Sequence, residues 1–338
     1  MAEQRWINRP AGSNWGDFGP DDQLGRLNLI GPEQRRAAVA EVREGISFSL
    51  SLPLDLPRQP ALNPRRQPPR LQVATHNGVP YFNYALQQTV PGATDVISDD
   101  SVLLSPQYST QWDALGHVGG LFDADGDGIP ERVGYNGFAV ADGPLATADD
   151  YRGAQALSVA PAARHGVQGR GVLVDLHRHY GGERRAIGYQ DLMRALQADG
   201  VEVRRGDILC LHTGFADLVS RLQPDDDHQV LKKACAVLDG TDDRLLEWIS
   251  QSGIAAIAAD NYAVEERRQA LPAGTTGPLL PLHELCLFKL GLPLGEMWYL
   301  TDLARWLHEQ RRHAFLLTAP PLNLPGAVGS PANPIATV

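Results

Sequence analysis

The sequence predicts an α/β fold, and three features of its 338 residues carry that expectation. Short apolar runs recur as buried strands: GVLVDL (171–176), DILCLHTG (207–214), IAAIAAD (254–260) and HAFLLTAPP (313–321). Amphipathic stretches lie between them, with IGYQDLMRALQADG (187–200) closing on Gly200 and DDRLLEWISQSG (242–253) closing on Gly253. Strand–helix alternation at this spacing packs helices against a sheet. The third feature is negative: no repeat of solenoid length and no composition break interrupts the chain, so residues 1–338 read as one domain.

The remaining elements follow in order. Residues 1–30, rich in Gly, Asn, Asp and Trp, read as an ordered N-terminal arm. GPEQRRAAVAEVREG (31–45) has Pro32 at its start, an apolar stripe of Ala38, Val39 and Val42, and glycine at its end, which predicts a helix. ISFSLSLPL alternates strictly over Ile46, Phe48, Leu50 and Leu52, as a half-buried strand does. Residues 57–92 are Pro-rich and contain NPRRQPPR, but Tyr81, Phe82, Asn83 and Tyr84 are too aromatic a group for a passive linker. A long loop folded over another part of the chain is expected. LHELCLFKLG (282–291) and TDLARWLHEQR (301–311) read as helices.

Composition excludes several functions. Asp+Glu number 40 against Lys+Arg 30, a formal charge of −10 that argues against a polyanionic partner such as nucleic acid. Cys210, Cys235 and Cys286 form no CxxC pair and are expected as buried, reduced thiols. The first residues contain no apolar h-region and no window is long enough to span a bilayer, so a cytoplasmic protein without a membrane partner is expected. There is no G-x-S-x-G elbow, and GVQGRG (166–171) leads into a strand instead of following one, so it reads as a turn and not as a dinucleotide site.

Two metal-type signals lie back to back between Tyr108 and Glu131. Asp123, Asp125, Asp127 and Gly128 satisfy D-x-D-x-D-G, with Glu131 as the nearest carboxylate to complete a structural calcium loop. The twelfth position, where such a loop wants glutamate, is Gly134, and a solvated turn between two strands is the competing reading. Upstream, Asp113 and His117 stand four apart, which on a helix would put them on one face. Carboxylate and imidazole are ligands for zinc or manganese. His283 and Glu296, thirteen residues apart, would bring the count to two histidines and two carboxylates, enough for a metal centre.

These residues are where the chain resembles a known family, the metal-dependent cyclase-like hydrolases of the kynurenine formamidase and isatin hydrolase superfamily. The family motif is H-x-G-T-H-x-D-x-P-x-H, and the matching window here is QYSTQWDALGH, Gln107 to His117. The likeness continues through YNGF (135–138), RGVLVDL (170–176), RRGDILCLHTGF (204–215), AADNYAVE (258–265), LPLHELCLFKLGLPLGE (280–296) and GSPANP (329–334). The chain resembles the longer bacterial members, a subgroup that carries STQWD in place of GTHxD. The resemblance implies a swivelling β/β/α cyclase-like fold with a mixed sheet core and helices packed outside.

It also implies a site. Asp113, His283 and Glu296 match metal ligands, and His117 matches the acid–base residue beside the metal. Two ligand histidines of the motif fall on Gln107 and Gln111. An amide oxygen is a weaker ligand than imidazole. The expectation is therefore one divalent metal, manganese or zinc, on Asp113, His283 and Glu296, with Gln111 and His117 adjacent as ligands or hydrogen-bond partners. The implied reaction is hydrolysis of a small cyclic or aromatic amide or lactone, with His117 moving the proton; a polyketide-type cyclase or dehydratase and a non-catalytic family member are the alternatives. Trp112, Phe82, Asn83, Tyr84 and Tyr135 are candidates for the substrate pocket. The family also implies a homodimer or homotetramer.

Overall fold

The structure is a computed structural model and describes residues 4–59 and 62–338; residues 1–3 of the arm and 60–61 of the Pro-rich loop lie outside them. Its centre is a nine-stranded mixed sheet. In chain order the strands are β1 (Ser47–Ser49), β2 (Gln111–Asp113), β3 (Gln168–Asp175), β4 (Ile208–His212), β5 (Ala256–Ala259), β6 (Leu294–Glu296), β7 (Ala314–Thr318), β8 (Gly329–Pro331) and β9 (Ile335–Thr337). Across the sheet they run β1-β9-β7-β3-β4-β5-β6-β2-β8. The four strands β3, β4, β5 and β6 are mutually parallel, and the flanking strands pair antiparallel on both sides.

The parallel strands are apolar on both faces because both faces are covered. Every residue of β4 and β5 is buried, which is why ILCLH and AIAA read as continuous runs without alternation. Helix α1 (Pro32–Val39), α2 (Tyr189–Asp199), α3 (Asp243–Ser252) and α4 (Thr301–Glu309) supply the covering layers, α2 and α3 through buried Leu192, Leu196, Leu245 and Ile249. The first helix ends at Val39, short of the stretch predicted from sequence. Asp242 caps α3 by accepting from the amides of Arg244 and Leu245, and Gly253 closes it in the left-handed conformation.

The segment expected as a helix over 282–291 is a single α-turn, Pro281–His283, that widens into a π-helix at Glu284–Lys289. The N-terminal arm braces it. The Trp15 indole donates to the Phe288 carbonyl at 2.8 Å and meets the Phe288 ring edge-on at 5.3 Å. Arg26 donates its amide to Gly291, whose φ of +58° and closeness to the Tyr135 ring (2.7 Å from an added Cβ) leave room only for glycine. The expected ordered arm is thus a structural support of the segment that carries His283. All three cysteines are free and buried. Among the described residues no helix is long and apolar enough to cross a membrane.

Candidate metal centre

Gln111 and Asp113 project from the same face of β2, since side chains alternate along a strand. The neighbouring strand β6 pairs antiparallel with Glu296 opposite Gln111 and Leu294 opposite Asp113. This register sets Glu296, Gln111 and Asp113 together, although Gln111 and Glu296 are 185 residues apart. The Asp113–His117 pair is therefore not helical, as the four-residue spacing suggested. Gln111–Asp113 is strand, and the chain turns at once, with the His117 amide donating to the Ala114 carbonyl. Pairing with β6 on one edge and β8 on the other overrides the local pattern in so short a run. The turn brings His117 Nε2 to 3.8 Å from Asp113 Oδ1, with the imidazole still 22% exposed.

His283 arrives from the opposite direction. Its Nε2 lies 3.5 Å from Glu296 Oε1 and 4.0 Å from Asp113 Oδ2. Glu265 fixes this aim: its carboxylate accepts from His283 Nδ1 at 2.7 Å and from the backbone amides of Leu282 and His283. A carboxylate behind a histidine sets which ring nitrogen faces forward. Asp113, His283 and Glu296 can each offer a ligand atom within 4.8 Å of the others, and all three side chains are buried.

The buried groups of the cluster shift one another's charge. Burial pushes the Asp113 carboxyl up, and the nearby Glu296 adds to that, against His117, His283 and Arg66. Burial opposes protonation of His283, but Glu265 and Glu296 outweigh it and push the imidazole up to about 10. Burial also works against the charge on Glu296, where His283 and Arg66 prevail and hold it below the usual range. Neither oxygen of Asp113 receives a hydrogen bond, and neither does Gln111 Oε1, whose amide nitrogen donates to Glu296 Oε2 at 2.9 Å. Buried acceptors without donors are costly and are ordinarily satisfied. A divalent ion among two carboxylates and an imidazole nitrogen meets that need, and the mixed O/N donor set suits zinc or manganese.

Other residues singled out from sequence fall elsewhere. Trp112 points from the opposite face of β2 into the core, donating to the Ala319 carbonyl and packing edge-on against Trp298 at 4.9 Å. Tyr135 is fully buried in the core against Gly291. Phe82 is 60% exposed, the Asn83 amide donates to Ser98, and Tyr84 stacks on Tyr81 at 4.6 Å; these contacts lie within the excursion 70–103 and not at the metal cluster. The Asp-rich segment is a hairpin loop between Gly120–Phe122 and Glu131–Val133, in agreement with a turn between two strands. Its Asp123, Asp125 and Asp127 carboxylates also approach within 4.8 Å of one another.

Two residues at the cluster escaped the sequence reading. Glu265 sits in AADNYAVE, where neither its spacing nor its surroundings mark it out. Arg66 belongs to the turn at Asn63-Pro64-Arg65-Arg66, where the Asn–Pro step signals a turn but not its destination. Its guanidinium lies 3.8 Å from Glu296 Oε2, donates from Nη1 to the Gln107 carbonyl at 2.8 Å and stands over the Tyr262 ring. Arg66 thus brings the turn at 63–66 of the Pro-rich loop to the Glu296 side of the cluster.

Comparison with known proteins agrees with this architecture. A family model described as "Putative cyclase" matches residues 48–266. A crystal structure described as a novel cyclase shares 32% identity over 96% of this chain and 97% of its own, with a TM-score of 0.74. Isatin hydrolase A from Labrenzia aggregata, bound to benzyl benzoate, aligns over 89% of this chain and 95% of its own at 14% identity and a TM-score of 0.53. An isatin hydrolase bound to the product analogue thioisatinate aligns over 89% and 94% at 15% identity, also with a TM-score of 0.53. At those identities the likeness speaks for the fold alone. No curated protein matches the chain. The family match and the 32% relative together place this chain in the cyclase family.

Proposed function

We propose that this protein is a metal-dependent hydrolase that opens a small cyclic or aromatic amide or lactone. The observation that carries the reading is the pair of donorless Asp113 oxygens sealed beside His283 and Glu296. Asp113, His283 and Glu296 would hold one divalent metal, with Gln111 Oε1 directed to the same cluster. A metal bound there supplies Lewis acidity, which acidifies water and polarises a carbonyl.

The chain's own groups do the rest. Glu265 holds the His283 ring in one orientation. Gln111 and Arg66 fix Glu296 Oε2, so that Oε1 remains directed at His283. His117 is the one imidazole of the cluster with exposed surface, and it can accept a proton from water and return it to the leaving nitrogen or oxygen. One C–N or C–O bond breaks, water adds across it, and a carboxylate is released.

The test is elemental analysis of the wild type and Asp113→Ala, purified without chelator, followed by an amide and lactone screen. About one equivalent of manganese or zinc, lost in the variant, supports the reading. A wild type that takes up neither metal after reconstitution sinks it.

A further inference from the structure

We infer that Asn261 is a positioning residue: it clamps a strained turn and, through that turn, seats the carboxylate behind His283. The inference rests on the hydrolase reading, because the group it seats is the one that aims His283 at the ion. Beyond the end of β5 at Ala259 the chain reaches Glu265 by way of Ala263 and Val264, both in the left-handed region with φ of +79° and +57°. Val264 is fully buried, and a β-branched side chain at positive φ is a genuine outlier. Such a conformation persists only where its surroundings dictate it, and it collects at functional sites. Two hydrogen bonds dictate it here. The Val264 amide donates to Asn261 Oδ1 at 3.1 Å, and the Val264 carbonyl accepts from the Leu238 amide at 2.9 Å.

Asn261 is itself held on every side. It is buried, its Nδ2 donates to the Ala236 carbonyl at 2.9 Å, and its carbonyl accepts from the Met297 amide at 3.0 Å. A carboxamide supplies the acceptor for Val264 and the donor for Ala236 at once, which an ionised carboxylate does not. Met297 follows the ligand Glu296 and also has a positive φ, +58°. One asparagine therefore ties the turn that enters Glu265 to the turn that leaves Glu296. The seat of Glu265 admits little displacement. Gly240 packs so close to Glu265 Oε2 that a side chain there would collide with it, and the same carboxylate serves the Leu282 amide, the His283 amide and His283 Nδ1. A turn that relaxed to negative φ would draw Glu265 off these three donors and release the His283 ring.

The test compares the wild type, Asn261→Ala, Val264→Gly and the double variant. Manganese and zinc affinities are read by chelator competition. On the metal-free proteins, the far-downfield proton of His283 Nδ1 held by Glu265 is read by nuclear magnetic resonance and assigned by its loss in Glu265→Gln. Asn261→Ala is expected to lose about tenfold or more in metal affinity and to weaken that resonance, while its backbone bond to Met297 persists. Glycine adopts φ of +57° without strain, so Val264→Gly needs no clamp and keeps both readouts, although its Tm falls for want of a buried side chain. The double variant should then recover the resonance and bind within about threefold of the wild type, despite being less stable than Asn261→Ala. A purely structural role predicts the opposite, with the double variant the worst on every readout. Should Asn261→Ala fail to fold, rescue of the fold by Val264→Gly supports the clamp, and weaker metal binding by the double variant than by Val264→Gly overturns it. Affinity and resonance unchanged in Asn261→Ala also overturn it. The two readings separate on the same samples. A resonance that depends on Asn261 in a protein that takes up neither metal sinks the hydrolase alone. Full metal with no dependence on Asn261 sinks the clamp alone.

Discussion

Glu265 and His283 form a buried pair in which the carboxylate accepts from Nδ1 at 2.7 Å and leaves Nε2 to face Asp113 and Glu296. Glu265 also accepts the two backbone amides that begin the His283 turn, so one side chain orients both the ring and the backbone beneath it. Replacing it with glutamine keeps the shape and removes the charge. Glu265→Gln is expected to weaken metal binding by about 10–100-fold, the usual cost of losing such a partner. Competition with a chromophoric chelator reads this directly, and circular dichroism checks that the fold persists. Unchanged affinity would show that His283 needs no orienting carboxylate.

His117 differs from the other members of the cluster in having exposed surface and no buried carboxylate behind it. In the proposed hydrolase it would move protons and not hold the ion. On a substrate found by screening, His117→Ala is expected to lower kcat by about 10²–10⁴. Its metal content should equal that of the wild type. Loss of metal in this variant would reassign His117 as a ligand, and an unchanged kcat would remove it from the chemistry.

The sheet core was legible because its signal is local. The runs over 171–176, 207–214 and 254–260 became β3, β4 and β5, and the amphipathic stretches between them became α2 and α3. The centre was legible only through motif resemblance, because its parts meet by long-range pairing. Nothing in QWD announces a strand paired on both edges, and the same four-residue spacing that suggests a helical face is produced here by a strand and a turn. Arg66 was illegible for a related reason. A Pro-rich turn shows that the chain bends, not which carboxylate it bends toward.

A second buried polar group lies at the carboxyl ends of β3, β4 and β5. His212 Nδ1 pairs with Asp175 at 2.8 Å, and Asp260, which accepts from Thr213 and Gly214, lies 4.0 Å from Nε2. Burial opposes charging of His212, but the Asp175 hydrogen bond and the Asp260 charge prevail and raise its pKa. A histidine raised on folding stabilises fully below its unfolded pKa of about 6.5 and loses that contribution as pH rises through the folded value. The stability gap between wild type and His212→Asn in urea should therefore be wider at about pH 6 than at about pH 9. A gap that widens with pH would mean that the neutral ring is the stabilising form.

The Asp-rich hairpin divides its carboxylate oxygens between two uses. Asp123 Oδ2, Asp125 Oδ1 and Asp127 Oδ1 accept from the amides of Gly128, Asp127 and Ile129, whereas Asp123 Oδ1 and Glu131 Oε2 are buried without a donor. If those oxygens serve calcium, adding it at about 100-fold over its Kd stabilises the fold by about 2.7 kcal/mol. The expected readout is a rise in Tm of the wild type that Asp125→Ala abolishes. A wild-type Tm indifferent to calcium identifies the loop as a turn closed by its own amides.

The excursion from Arg70 to Leu103 is poorly supported by the rest of the chain at its base. Its ribbon pairs Arg70–Val73 with Asp100–Leu103, and all eight residues are exposed. Leu71 is 75% and Leu103 64% exposed. A two-stranded ribbon solvated on both faces is marginal in water, and an exposed apolar strand invites pairing. A second copy of the chain covering this ribbon would relieve both conditions, which fits a homodimer or homotetramer. Light scattering at micromolar concentration should give a mass at least twice that of one chain. The double variant Leu71→Lys, Leu103→Lys should shift the population toward the monomer while leaving metal content unchanged, because both side chains are exposed whereas Asp113, His283 and Glu296 are buried. A monomeric wild type, or an oligomer indifferent to both lysines, would place the interface elsewhere or remove it.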